Sequence, residues 1–129
     1  MAVEFDWDNE AQTILRFTAV TPWNWNDFHK TMRRATFWLD SVNHPVEMML
    51  DFRQTTKLPA GALGHIRSLG TAIHPNSSNR LVIIGLDESV ARSLGGDDRT
   101  YQDAIRLIRF VDTDDEARAI IAAWQAEEA

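Results

Sequence analysis

Cysteine is missing from this 129-residue sequence. Its absence excludes disulfides, thiolate nucleophiles and cysteine-ligated zinc, and is compatible with a reducing compartment. The first residues, MAVEFDWDNE, contain neither a basic leader nor an apolar targeting core. No run approaches the roughly 20 apolar residues that a membrane span requires. The sequence therefore predicts a soluble, cytoplasmic protein with no membrane span.

Positive charge is also scarce. The chain has 13 lysines and arginines against 19 aspartates and glutamates, which gives a formal net charge of −6 and a pI near 5.1. Nucleic-acid affinity depends on cations that neutralise the phosphate backbone. We therefore predict that nucleic acid is not a partner.

Motifs that carry catalysis or metal binding are absent as well. The sequence has no G-x-S-x-G elbow, no phosphate-binding glycine-rich loop and no dinucleotide fingerprint. Its four histidines are scattered, without i, i+4 pairing or carboxylate companions; they are His29, His44, His65 and His74. Four acids near strand ends, where either a catalytic carboxylate or a turn cap could lie, are Asp6, Asp8, Asp51 and Asp87. We predict no enzymatic activity, no metal and no cofactor.

The length and the 44% hydrophobic content suit one domain spanning residues 1–129. Val3, Phe5 and Trp7 alternate with acids, the period that predicts a half-buried strand. Residues 13–20 are rich in β-branched and aromatic side chains and predict the antiparallel partner of a hairpin.

A helix and a buried strand follow this hairpin. Apolar residues recur at spacings of three and four and predict an amphipathic helix; they are Trp25, Phe28, Met32, Ala35 and Leu39. Residues 41–45 end this helix. The nearly continuous apolar run over residues 46–52 predicts a central strand that is buried on both faces.

The second half of the chain repeats the strand and helix pattern. We predict a helix over residues 62–73, a loop over 74–79, a strand over 81–87 and a short helix over 88–94. Residues 106–111 favour a strand over the alternative, the end of a helix that begins near Asp98. Thr113 and Glu116 match a capping box at the start of a last helix.

This order of elements calls for an α/β fold. Strands that alternate with helices predict a mixed β-sheet with βαβ crossovers and helices packed on it.

Three stretches in this order resemble a known family. The segments EMMLDFRQTT, LVIIGLD followed by ESVARSL, and IRFVDTDDEARAII together resemble the STAS domain, the fold of bacterial anti-sigma-factor antagonists. The STAS-like proteins that share features with Sec14-type lipid-binding domains are the most similar group. The resemblance covers roughly the whole chain and implies a regulatory or protein-interaction role.

The resemblance also implies a phosphorylation site, from which this chain departs. In the antagonists, the turn after the central strand carries a serine that a partner kinase phosphorylates, where the start of a helix favours the added negative charge. The matching stretch here is KLPAGAL, residues 57–63, in which Pro59, Ala60 and Gly61 stand in place of the acid and serine. We therefore expect that the usual phosphoacceptor is missing.

Residues beside this turn form a weak candidate site for an anion or a partner. Arg53 and Lys57 flank Thr55 and Thr56, and the four could hold an anion at the following helix. The two threonines could also be alternative phosphoacceptors, or they could cap the turn locally, and the two cations could be solvated at a strand end.

A surplus of aromatic residues around the first helix gives a second candidate site. Trp25 and Phe28 fit the core-facing stripe, whereas Trp23, Phe37 and Trp38 fall outside it. The latter three predict either a protein interface or a pocket for an apolar ligand. Core packing at the edges of the helix is the alternative.

Two functions are compatible with these features. The first is a non-enzymatic STAS-like interaction module that binds a protein partner or, as a homodimer, a second copy of itself. The second is a carrier or sensor that binds a small apolar or lipid-like ligand.

Overall fold

Five strands form one mixed sheet, which confirms the α/β class predicted from the order of elements. The computed structural model describes residues 3–55, 74–87, 89 and 98–128. The strands are β1 (Val3–Trp7), β2 (Ile14–Ala19), β3 (Val46–Asp51), β4 (Ser77–Ile84) and β5 (Ile108–Val111). They lie side by side in chain order. β1 is antiparallel to β2, and each later neighbouring pair is parallel.

The first two strands form the predicted hairpin. Phe5 of β1 lies opposite Phe17 of β2, and their rings stack with centroids 5.9 Å apart. The Asn9 side-chain oxygen accepts hydrogen bonds from the backbone N–H groups of Thr13 (3.0 Å) and Ile14 (3.3 Å). An asparagine side chain that imitates backbone in this way closes a turn, which explains why the polar segment after β1 reverses the chain.

The predicted amphipathic helix is α1 (Trp25–Asp40). Asn24 caps its start through a reciprocal pair of hydrogen bonds with Asp27. The helix buries the predicted apolar face together with Thr31. It connects the parallel strands β2 and β3 and so forms a βαβ unit.

β3 is the central strand, as predicted, and all six of its residues are buried. β4 begins earlier than the prediction, which placed a loop over residues 74–79 and a strand over 81–87. Ser77 already pairs with Val46 of β3. The neighbouring strand therefore recruits polar residues that on their own favour a loop, and the strand ends at Ile84.

Residues 106–111 contain the predicted strand and not the end of a helix, although the strand begins at Ile108, two residues later than predicted. A helix, α2 (Arg99–Ile105), begins after Asp98, and β5 follows as the predicted strand. The last helix, α3 (Asp114–Glu128), begins at the predicted capping box, where the Thr113 hydroxyl accepts a hydrogen bond from the Glu116 N–H (3.2 Å). The helices predicted over residues 62–73 and 88–94 lie outside the described residues, apart from Ser89.

Each face of the sheet has its own apolar cluster, because successive residues of a strand point to opposite faces. On the first face, strand residues pack with α1 and with Tyr101 of α2. On the second face, other residues of the same strands pack with Ala117, Ile121 and Trp124 of α3. Within the part of the chain that the structure describes, no helix is long and apolar enough to cross a membrane.

Candidate functional site

Asp51, the last residue of β3, is the centre of a group of paired charges. Its carboxylate accepts hydrogen bonds from the Arg53 backbone N–H (2.9 Å), from Arg53 Nε (3.1 Å) and from Arg53 Nη2 (2.9 Å). Arg16 Nη2, from β2, donates to Asp51 Oδ2 at 2.5 Å, the same oxygen that accepts from Arg53 Nη2. The Asp51 side chain is only 5% exposed, so these bonds replace most of its hydration.

Asp114, at the start of α3, completes this group. Its Oδ1 atom accepts hydrogen bonds from Arg16 Nη1 and Arg53 Nη2, both at 2.9 Å. We call Arg16, Asp51, Arg53 and Asp114 the charge cluster. It contains two cations and two anions and joins β2, β3 and α3 on the second face of the sheet.

The charge cluster shifts the pKa of three of its members. Burial by itself would raise the pKa of Asp51, but the hydrogen bonds and charge of Arg53, with the charge of Arg16, lower it below its ordinary value. Burial by itself would also raise the pKa of Asp114, but the hydrogen bonds and charges of Arg16 and Arg53 lower it below its ordinary value. The hydrogen bond to Asp51 raises the pKa of Arg53. Asp51, Arg53 and Asp114 are therefore held in their charged forms at neutral pH.

The backbone of Gly85, which follows β4, lies close to the Arg53 side chain. Gly85 has φ +88°, and a Cβ atom built on it would lie 2.6 Å from Arg53 Cγ. Glycine is needed both for the positive φ and for this close approach. The Arg53 side chain is therefore held in place by the close approach of the Gly85 backbone and by the carboxylates of Asp51 and Asp114.

This arrangement decides how Arg53 can serve the predicted anion site. Its guanidinium is already bound by Asp51 and Asp114, so an added anion would have to compete with two carboxylates. The Thr55 hydroxyl donates a hydrogen bond to the Ala19 carbonyl (2.9 Å) and accepts one from Trp23 Nε1 (3.0 Å). Thr56 and Lys57 lie outside the described residues, as does the turn that matches the phosphorylated turn of the STAS family.

Trp23 belongs to the core of the first face. It is 8% exposed and stacks on Phe52 with ring centroids 5.7 Å apart and an interplanar angle of 12°. Its other ring contacts are with Trp25 and Phe28. For Trp23 the structure favours core packing over the predicted interface or ligand contact.

Phe37 and Trp38 occupy different positions, although they are adjacent in sequence. Trp38 is half-buried over β1, in an edge-on contact with Phe5 (4.5 Å between centroids) and stacked on Trp7 (5.7 Å). Phe37 points away from the sheet and is 72% exposed. The two rings border a groove of about 580 Å³ between α1 and β1, which Val3, Glu4, Phe5 and Arg34 also line.

Three cations lie on the outer surface of α1 beside this groove. Lys30 and Arg33 are exposed and, with Phe37, follow one stripe of the helix at spacings of three and four. Arg34 lies with its guanidinium carbon 5.7 Å from the centre of the Phe5 ring. We call Lys30, Arg33, Arg34 and Phe37 the α1 flank. It lines a second groove of about 560 Å³ together with Thr36.

The sequence interpretation missed the charge cluster as a unit. It named Arg53 and Asp51 separately and did not consider Arg16 or Asp114. The available signal was Arg16 itself, a charged residue inside the otherwise apolar strand ILRFTA, because a strand-interior charge requires a partner when it is buried. Within the described ranges, no group of three histidine, aspartate or glutamate side chains is placed to hold a metal ion.

The structure thus defines a mixed α/β domain with one neutralised charge cluster and one open aromatic and cationic flank. No family model matches the chain, and no curated protein or solved structure is significantly similar to it. The resemblance to the STAS domain therefore stays a prediction from the sequence pattern.

Proposed function

We propose that this chain is a non-enzymatic, STAS-like regulatory module that binds another polypeptide, a partner protein or a second copy of itself, through the α1 flank and the adjoining groove. The observation that carries the proposal is Phe37, a phenylalanine that is 72% exposed at the rim of an aromatic groove. Aromatic residues and arginine are enriched at protein interfaces, and aromatic side chains dominate their energetics.

The exposure of Phe37 is unusual within this protein. Among the described residues, the other exposed large hydrophobic side chain is Val20, at 39%. Most of the other large apolar side chains in the described ranges pack into the two clusters or against them. Together with the adjoining groove, which Phe5 and Trp38 also line, this ring forms an exposed apolar patch of the kind that supports a binding surface.

The regulatory, STAS-like part of the proposal depends on the order of elements and on the quoted segments. The stretch KLPAGAL lacks the usual acceptor serine, so the proposed module would act by binding without that modification. A cytoplasmic location is part of the same proposal, and the absence of cysteine is compatible with a reducing compartment.

The carrier function is the second candidate, and the groove volume is the observation that favours it. A volume of about 580 Å³ falls within the range of small-molecule sites, about 300–1,000 Å³. Such sites enclose most of the ligand, however, whereas one wall of this groove is the largely exposed Phe37. A polypeptide, which needs only one side covered, suits the groove better.

Selection of a random peptide library on the immobilised protein tests the main proposal. Wild type, Phe37→Ser and the matched control Val20→Ser would be compared, and native mass spectrometry would be run on each before and after denaturation. We expect enriched peptides, or a dimer, with wild type and Val20→Ser but not with Phe37→Ser. Equal binding by Phe37→Ser would contradict the proposal, and a small molecule released on denaturation would support the carrier instead.

A further inference from the structure

The backbone of β1 has one open position beside the groove. The Asp8 N–H donates to the Ile14 carbonyl at 2.8 Å, which makes this a hydrogen-bonded pair of the hairpin. Such pairs alternate with non-hydrogen-bonded pairs along an antiparallel ladder. Counting back through the register, Val3, Phe5 and Trp7 all point their N–H and C=O groups away from β2, toward the edge of the sheet.

Two of these outward groups already have partners. The Thr31 hydroxyl donates to the Val3 carbonyl (3.2 Å), and the Trp7 N–H donates to the Asp6 carboxylate (2.8 Å). Within the described part of the chain, each of Val3 and Trp7 thus has one of its outward groups bonded, whereas Phe5 presents both its N–H and its C=O at the open edge. An exposed strand edge of this kind can pair with an extended segment of another chain.

We propose that this edge receives an extended, acidic segment of a partner protein, whose apolar side chains enter the groove and whose carboxylates contact the α1 flank. The inference rests on the proposed function and specifies the class of partner. A segment paired with β1 would point alternate side chains to the first face of the sheet, where the α1 flank lies. Arg34 and Phe37 line this groove and also the adjoining groove, which Lys30 and Arg33 line.

The charges of the flank are what select an acidic partner. Arg16, Arg53, Arg80 and Arg118 each have a carboxylate within 3 Å. Lys30 and Arg33 have none among the described residues and lie one turn apart on the same helix. Like charges at this spacing weaken a helix by a few tenths of a kcal/mol, so helix stability does not account for them. A partner with carboxylates would account for these two adjacent cations, because its charges complement theirs.

A second copy of this chain fits the same surface poorly. Antiparallel pairing of two β1 strands about Phe5 would place Glu4 of each copy directly opposite Asp6 of the other, and like charges in that position are destabilising. Packing α1 against its own copy would bring Lys30 and Arg33 together with the same residues. A different chain avoids the first conflict when the side chains that it places beside Glu4 and Asp6 are uncharged, and the negative charge of its first-face side chains avoids the second.

Two synthetic peptides test this inference by fluorescence anisotropy at low and high salt. Both have eight residues with threonine at every second position, and at the positions between, which share one face of the strand, leucine alternates with a charged residue, glutamate in one peptide and lysine in the other. We expect the glutamate peptide to bind wild type more tightly, and the double variant Lys30→Glu/Arg33→Glu to weaken that binding by about tenfold and to favour the lysine peptide. The control Arg99→Glu/Arg106→Glu makes the same change in net charge on α2 and its following turn, and should leave the preference intact.

Each failure has a separate meaning. A lysine peptide that binds wild type as well as the glutamate peptide would overturn the acidic class, while a remaining dependence on Phe37 would keep the proposed function. Hydrogen exchange should show new protection of the Phe5 amide in the complex, and protection confined to α1 would overturn strand pairing. A wild-type dimer that Phe37→Ser abolishes would overturn the choice of a different chain as partner.

Discussion

At the carboxyl ends of β2 and β3, arginine, threonine and tryptophan side chains are all held by partners, whereas on the α1 flank a lysine, an arginine and a phenylalanine face solvent. Arg53 is bound by two carboxylates, and Trp23 is stacked on Phe52 and bonded to Thr55. Phe37 is 72% exposed, and Lys30 and Arg33 have no carboxylate among the described residues.

The difference separates residues that stabilise the fold from residues that are available to a partner. A side chain whose hydrogen bonds and apolar surface are already satisfied gains little from a new contact. An exposed ring or an unpaired cation has no such contacts to give up, so it can form a new contact with a partner. Substitutions at the carboxyl ends should therefore affect stability, and substitutions on the flank should affect binding.

Trp23→Ala should have the largest effect on stability. It removes a ring that contacts Trp25, Phe28 and Phe52, and we expect a loss of about 3–5 kcal/mol in the free energy of unfolding. Urea denaturation followed by circular dichroism measures it. If the urea concentration at the unfolding midpoint is the same for Trp23→Ala and wild type, Trp23 does not belong to the core. The contrast between the carboxyl ends of the strands and the α1 flank then fails for this residue.

Asp51→Ala should cost about 3 kcal/mol, because it leaves Arg16 and Arg53 without their shared buried carboxylate. The same denaturation experiment measures the loss. Asp115→Ala is a matched control, since the Asp115 side chain is 100% exposed and its nearest arginine nitrogen is 3.9 Å away. Similar small losses in the two variants would mean that the charge cluster does not stabilise the fold.

The charge cluster also predicts a dependence of stability on pH. Asp51 and Asp114 have pKa values below the ordinary value of 3.8 in the folded protein, so at acidic pH the unfolded chain binds protons that the folded chain does not. Their stabilisation is complete above about pH 5 and is lost as pH falls through the folded pKa values. The free energy of unfolding of Asp114→Asn should depend less steeply on acidic pH than that of wild type. If the stability of Asp114→Asn falls with pH as steeply as that of wild type, Asp114 does not contribute to the pH dependence.

Thr55→Val should cost about 1–2 kcal/mol, because it keeps the shape of the side chain but removes two hydrogen bonds, to the Ala19 carbonyl and from Trp23 Nε1. Thermal unfolding would detect the loss. Thr36→Val, which removes a bond within α1, serves as the control. An unchanged melting temperature in Thr55→Val would show that the hydroxyl does not tie the segment after β3 to β2.

Phe37→Ser should have the smallest effect on stability, within about 0.5 kcal/mol of wild type, because its ring is mostly in water. Val20→Ser should behave in the same way. A loss of more than 1 kcal/mol in Phe37→Ser alone would place the ring in the core and remove the basis of the proposed interface.

The sequence predicted the elements whose patterns are strong and local. The alternation of Val3, Phe5 and Trp7 predicted β1, the apolar run over residues 46–52 predicted a central strand, and the capping box at Thr113 predicted the start of α3. These signals lie within a few residues of one another, so no distant contact is needed to recognise them. The early start of β4 was missed because pairing with Val46 decides it.

The sequence by itself determined the α/β class and the surplus of aromatic residues around α1. Only the tertiary structure separated Trp23, which is covered by Phe52, from Phe37, which no element of the described chain covers. Only the tertiary structure also brought together Arg16 and Asp114, 98 positions apart in sequence, in the charge cluster with Asp51 and Arg53. The reason is physical: helical and strand periods are local properties of the chain, whereas the burial of a ring and the pairing of a charge depend on which distant segments the sheet places beside them.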